Sequence, residues 1–279
     1  MKINEPEIKK KDILVLPDEQ FHTDNVCIVS GAGTSIGRAT AIAAAANQLM
    51  TVGFDINEDE GKLTQRLARE TGGQMIFIQT NMENDDEIEY GVMEAAKLGT
   101  IKYLANIASI QQTDMAETCP MKAYDRRQHI LLRIPFYLSQ LIIPHMKKSA
   151  EGPGVIANMA SNDAYIYPVN QPIYKMTKST LRALSQSIAA EGEGKVRSFT
   201  VSTGIAKTPL VTNQLPDQAK QQGITEVEVV QDVMMEKSRI KEMMSPIEVA
   251  NLFIFGFSRF ARYLIGGDLL FDRGTALPQ

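Results

Sequence analysis

Short apolar runs alternate with longer helical patterns along the chain. Residues 25–30 (NVCIVS) are apolar, β-branched and stopped by glycine, the pattern of a strand buried in a parallel sheet. Similar runs at 50–55, 74–79, 101–106, 154–159, 196–202 and 268–272 predict six further strands. Helical patterns fill the intervals at 36–49, 57–71, 82–98, 121–146 and 171–190, the fourth despite Pro135 inside it. Strands alternating with helices of this length require right-handed crossovers, so the fold class predicted is α/β: a single doubly wound parallel sheet with helices on both faces. No repeat, low-complexity tract or linker divides the chain, and one domain follows.

Composition narrows the function. Hydrophobic residues make up 44% of the 279 positions, enough for a large core, and no apolar run is long enough to span a membrane. Lys and Arg number 29 against 33 Asp and Glu, a net charge of −4, which argues against a nucleic-acid partner. The start, MKINEPEIKKKD, is charged and does not read as a secretory signal. Two cysteines, Cys27 and Cys119, form no disulfide framework and suit a reducing cytoplasm. His22, His129 and His145 are far apart, so no metal site is expected.

The first strand ends in Ser30-Gly31-Ala32-Gly33-Thr34-Ser35-Ile36-Gly37. Small residues let backbone approach a pyrophosphate, and the helix beginning there offers free N–H groups and a positive dipole end. Asp55 lies 24 residues after Gly31, at the end of the second strand. A carboxylate there binds ribose hydroxyls and repels a 2′-phosphate, and no Lys or Arg lies between Asp55 and Gly61, which argues for NAD over NADP.

Tyr174 and Lys178 stand four residues apart on one helical face, and Ser161 lies 13 residues before Tyr174, just past the fifth strand. A cation beside a phenol is expected to lower its pKa from about 10, so that it can exchange a proton with an alcohol or ketone oxygen while a hydride moves. Ser161 can hold the same oxygen.

On these residues the chain resembles the short-chain dehydrogenase/reductase family over about residues 24–276. Asn106 after the fourth strand, Gly204 with Thr208-Pro209, and the C-terminal IGGDLLFDRG add to the likeness. The resemblance implies catalytic roles for Ser161, Tyr174 and Lys178. It implies NAD binding by Gly31, Gly33, Ser35, Ile36, Gly37, Asp55, Asn81, Met82, Asn106, Ala108, Tyr174, Lys178, Gly204 and Thr208, in a homotetramer. The stretch from Thr208 to Met234 resembles the substrate lid of bacterial D-3-hydroxybutyrate dehydrogenases, which places a lid at about 209–244 and implies substrate contacts for Gln111 and Gln214.

Several positions depart from the family pattern. Ser35 replaces the middle glycine of the turn, and Asn106-Ile107-Ala108-Ser109 replaces the usual Asn-Asn-Ala-Gly. Thr203-Gly204 stands for Pro-Gly, and Asn81 for an aspartate. Leu131 aligns with an asparagine that holds a water of the proton relay. Asp163 and Gln171 fall where the hydroxybutyrate enzymes carry a substrate-binding His and Lys. Two like charges about 5 Å apart cost roughly 3 kcal/mol at an effective dielectric of 20, so Asp163 disfavours a hydroxy acid. A pocket of Gln111, Asp163, Gln171 and Gln214 suits hydroxyl groups equally well. Three functions stay open: a 3-hydroxybutyrate-like dehydrogenase, a dehydrogenase of a neutral polyol or sugar-derived substrate, and a catalytically weakened nucleotide sensor. Residues 1–23 form an arm with no assigned role, either disordered or packed on a neighbouring subunit.

Overall fold

The computed structural model describes residues 6–110, 115–166, 171–213 and 215–277. Seven strands, β1 (Asn25–Ser30), β2 (Met50–Asp55), β3 (Gln74–Gln79), β4 (Thr100–Asn106), β5 (Gly154–Met159), β6 (Val196–Thr203) and β7 (Asp268–Phe271), form one parallel sheet. Its order is β3-β2-β1-β4-β5-β6-β7. The chain moves outward from β1 to β3 and returns to pair β4 with β1, so the topological switch lies at β1/β4. In open sheets of this kind ligands bind beyond the carboxyl ends of the strands at that point.

Helices α1 (Ser35–Ala46), α2 (Glu58–Glu70) and α3 (Asp85–Ala96) connect the first four strands. Asn57 and Asn84 cap α2 and α3 by accepting backbone N–H groups, and the Asn84 cap starts the third helix later than its apolar pattern suggests. Helix α4 (Met121–Gln128) runs through a π-helical stretch, His129–Arg133, into α5 (Ile134–Lys148). The wider turns fall where Pro135 lacks an N–H and its ring would crowd the carbonyl four residues back. Helix α6 (Pro172–Glu191) follows β5. A lid of short helices, α7 (Pro209–Thr212), α8 (Leu215–Gln222) and α9 (Glu226–Glu228) with a π-helical stretch at Val229–Met234, precedes α10 (Pro246–Phe257).

The sheet buries both faces. One cluster joins Val29, Ala105, Ala157 and Phe199 to Ala43 of α1 and Phe253 of α10. The other joins Ile28, Val52, Leu104 and Ile156 to Ile88 of α3, Leu138 of α5 and Ile188 of α6. The lid has a small core of its own around Leu215, Val229, Val230 and Met235.

Two expectations change. The described part of the arm packs on its own chain: Ile13 and Phe21 are buried in the first cluster. Asn47 accepts from the Leu16 N–H (2.9 Å) and donates to the Leu14 carbonyl (2.8 Å), while Asn251 accepts from the Leu14 N–H (2.8 Å). The arm therefore ties α1 to α10. Helix α10 was not among the expected elements. It is apolar nearly all round and shows little periodicity, although Ser245 and Glu248 form a capping box ahead of it.

Candidate active site

A cleft of about 1280 Å³ opens at the carboxyl ends of β1, β2, β4, β5 and β6 under the lid. Its floor is the turn from β1 into α1. Gly31 has φ +72°, and a Cβ there would lie 2.8 Å from the Ala108 Cα. The Ser30 hydroxyl accepts the N–H groups of Ile107 (3.0 Å) and Ala108 (3.2 Å), which locks the β4 loop against this turn. Thr34 at the N-cap of α1 makes no side-chain cap, so the helix presents unsatisfied N–H groups to the cleft. Ser35 has φ +55°, a left-handed conformation that costs a non-glycine residue about 1 kcal/mol, and its hydroxyl is buried without a partner. The Asp55 carboxylate accepts the Gly33 N–H (2.8 Å) and the Asn57 N–H (2.9 Å) at the tip of β2. A helix N-terminus, a close-approach turn and a carboxylate at the next strand end fit a dinucleotide's pyrophosphate and ribose.

At the far side of the cleft Ser161 follows β5, and Tyr174 and Lys178 project from α6. Ser161 accepts the Asp163 N–H (3.1 Å) and shares a side-chain hydrogen bond with Tyr174. Lys178 is buried and donates to the Met159 carbonyl (2.7 Å), its Nζ 5.3 Å from the centre of the Tyr174 ring. Burial pushes this lysine down from 10.5 to about 8, against a smaller upward pull from Asp163. Tyr174 runs against expectation. Burial, then Asp163, raise its pKa, and Ser161 alone opposes them. The lysine that was expected to acidify the phenol lies near the ring, but its head is engaged by the Met159 carbonyl and it is not among the groups that shift Tyr174.

Asp163 shapes the substrate side. Burial raises its pKa, opposed first by Lys175 and then by Lys178. Lys175 donates to the Asp163 carbonyl (3.1 Å) and the Ile166 carbonyl (2.5 Å), fixing the loop that carries the carboxyl group. Gln171 also lines the cleft, whereas Gln111 and Gln214 lie outside the described residues. Tyr165 is held by Asp268 on β7 and stacked under Arg182 at 4.1 Å. Burial and the bond to Asp268 push its phenol up to about 12.

Most expected residues converge here. Gly31, Ser35, Ile36, Gly37, Asp55, Asn81, Met82, Ala108, Ser161, Asp163, Gln171, Tyr174, Lys178, Gly204 and Thr208 all line the cleft. Two do not. Gly33 spends its N–H on Asp55. Asn106 is buried between strands, donating to Asn158 (2.8 Å), which in turn donates to Ser185 (2.8 Å). It braces β4 against β5 and α6, with its Oδ1 buried and unpartnered. Leu131 is buried in the π-helical stretch. There the Ile134 N–H reaches the His129 carbonyl, five residues back, and Pro135 has no N–H to donate. Leu131 puts an apolar side chain where the family places a polar one, next to Ile130, which lines the cleft. Tyr165, Asn213, Gln218, Met234 and Arg273 are among the other residues of the lining. Sequence spacing carried no signal for them, because they come from the lid, the β5 loop and the tail.

Comparison with known proteins agrees with this fold. The family profile described as enoyl-(acyl carrier protein) reductase matches residues 31–276. A D-beta-hydroxybutyrate dehydrogenase of Rhizobium meliloti (strain 1021) is 29% identical over 252 residues, covering 89% of this chain and 94% of that protein. A probable galactose dehydrogenase of the same organism is 26% identical over 268 residues, covering 94% and 100%. The solved structure of L-sorbose reductase from Gluconobacter frateurii, complexed with NADPH and L-sorbose, superposes with a TM-score of 0.86 at 23% identity, covering 94% and 100%.

Proposed function

The chain belongs to the short-chain dehydrogenase/reductase family of oxidoreductases acting on alcohol groups, and on that premise we propose that it interconverts a small, uncharged, polyhydroxylated secondary alcohol and its ketone with NAD(H). The nicotinamide, when bound, exchanges a hydride with the substrate carbon. Tyr174 takes the hydroxyl proton in oxidation and returns it in reduction. Ser161 holds the reacting oxygen beside Tyr174, and Lys178 positions the cofactor ribose. Thr208 meets the carboxamide side, and Asp55 binds the adenosine ribose. Two observations support NAD over NADP. Asp55 stands where a 2′-phosphate would sit, and Arg38, just past Gly37, is engaged by Glu60, Thr64 and the Gly33 carbonyl.

The observation that carries the substrate reading is Asp163. A carboxyl group in the cleft, close enough to raise Tyr174, opposes an anionic substrate when ionised. Protonated, it donates to a hydroxyl; in either form it suits a neutral polyol. The second reading, a 3-hydroxybutyrate-like acid, draws on the lid and the hydroxybutyrate relative. Exposed Phe136, Tyr263 and Phe271 support assembly into a homotetramer, and Cys27 and Cys119, which form no disulfide, a cytoplasmic setting.

The test is absorbance at 340 nm with NAD and with NADP. D-3-hydroxybutyrate and a panel of sugars and polyols are the substrates, and Tyr174→Phe is the control. Turnover of polyols with NAD, lost in the control, is the expected result. Efficient oxidation of hydroxybutyrate overturns the polyol reading. Tight cofactor binding without turnover of any compound points instead to a sensor. Asp163→His is expected to raise activity toward the acid.

A further inference from the structure

The lid is joined to the sheet by two short segments. One leaves β6 at Gly204 and passes Ile205 and Ala206; the other returns through Glu242, Met243 and Met244. They meet once as paired backbone: the Met244 N–H donates to the Ile205 carbonyl (3.2 Å), and the Lys207 N–H to the Met244 carbonyl (2.8 Å). Because the lid carries its own apolar core, these segments control its position as one body.

Arg273 sits where both segments can be reached. Its Nη1 donates to the Ile205 carbonyl (3.0 Å) on one and the Glu242 carbonyl (2.8 Å) on the other. Its Nη2 packs on Gly204, where a Cβ would lie only 2.8 Å from it. The Arg273 carbonyl accepts the Arg239 N–H (2.9 Å) from inside the lid, and Thr275, two residues on, pairs with Ser238 at 3.0 Å. These contacts are made from a strained backbone, with φ +61° at a residue that is not glycine, and with the Nε buried and unpartnered. Strain and an unsatisfied donor persist only where surrounding contacts over-determine them. The same residue lines the cleft, beside Thr275 and Ala276.

We propose that Arg273 is the positioning residue of the lid: its guanidinium bolts the two lid segments together and to the end of β6, and so fixes the lid over the cofactor cleft. Both bonds leave the single Nη1, whose two N–H groups diverge at fixed angles in the guanidinium plane; a lysine ammonium presents one point charge on a mobile stem. The inference rests on the family assignment and not on the identity of the substrate.

Limited trypsinolysis of the full chain tests it, because Lys220, Lys237, Arg239 and Lys241 lie exposed in or beside the lid. Arg273→Gly removes the fork and relieves the positive φ, so the fold is not endangered. Loss of one or two charge-assisted bonds predicts about tenfold faster cutting in the lid, with the thermal midpoint within about 2 °C of the parent. Arg273→Lys is expected to cut nearly as fast. NADH affinity, read by fluorescence, is expected to fall about five- to tenfold in both variants. Unchanged cutting in both variants overturns the proposal. So does faster cutting that merely follows a fall in the thermal midpoint, since that marks a structural role alone. These readouts need no substrate, so a failure to find turnover leaves them intact.

Discussion

Replacing Lys178 with methionine is expected to stabilise the protein near neutral pH while ending its chemistry. The lysine is 2% exposed, and burial lowers its pKa from 10.5 to about 8. A cation held below its ordinary pKa opposes folding at every pH where it is charged in the unfolded chain. The cost is full below the folded pKa, shrinks between about 8 and 10.5, and is gone above that window. A displacement of this size corresponds to about 3 kcal/mol at full strength. Methionine removes the cost and fills similar volume, but it leaves the Met159 carbonyl without its donor, a loss of about 1 kcal/mol at all pH values. The pH dependence is therefore the sharper quantity. The stability gained by Lys178→Met is expected to be larger by about 2 kcal/mol at pH 7 than at pH 9.5, measured by urea unfolding with a common slope. A difference that is flat with pH, or that grows toward alkaline pH, refutes the claim that this lysine is a buried charge held for function.

Tyr174→Phe is expected to reduce turnover by about a hundred- to ten-thousandfold while NADH binding, measured by fluorescence, stays within about threefold. Asp163→Asn removes a charge that raises Tyr174, so the phenol becomes more acidic and the acid limb of the oxidation pH–rate profile moves to lower pH; an upward move would contradict the assignment of Asp163 as a neighbour of the proton-exchanging group. Ser35→Gly relieves the φ +55° strain and deletes a buried unpartnered hydroxyl, partly offset by chain entropy, for a net gain of about 1 kcal/mol and a Tm higher by a few degrees. Removal of residues 1–22 exposes the surfaces now covered by Ile13 and Phe21 and breaks the Asn47 and Asn251 brackets, so the unfolding free energy is expected to drop by about 3–6 kcal/mol in urea titrations.

The sheet was legible because a parallel strand buried on both faces must be mostly apolar, and β1, β2, β4 and β5 are, with Lys102 of β4 the buried charged exception. The site was legible for a related reason. Ser161 and Asp55 sit directly after such runs, and the carboxyl ends of parallel strands share one edge, so residues far apart in sequence had to meet there. Arrangements that depend on the depth of burial were not legible. Spacing put Lys178 one turn from Tyr174 but could not show its head bonded to Met159 or its charge suppressed. The π-helical stretch was hidden because Pro135 was read as tolerated within one regular helix. Helix α10 escaped because an all-apolar helix has no polar face to reveal its period. Arg273 lay inside the C-terminal IGGDLLFDRG, but its role escaped because its partners are backbone carbonyls, which leave no mark in the sequence.

Burial dominates the electrostatics of the cleft, and Asp163 is the charge that acts on both Tyr174 and Lys178. Burial raises Tyr174 and lowers Lys178; Asp163 adds to the first shift and partly offsets the second. Lys178, in turn, pulls Asp163 back toward ionisation. None of the three sets its own protonation. A charged dinucleotide entering beside them must change the balance, since any positive charge near the phenol opposes the upward push of Asp163. On the proposed function, the activation of Tyr174 would therefore depend on the loaded cleft and not on the Tyr174–Lys178 pair alone. On the same reasoning, Asp163 links substrate choice to proton transfer. An anionic substrate would add a second negative charge beside the phenol and hold Tyr174 protonated, whereas a neutral polyol leaves its acidity to the cofactor side of the cleft.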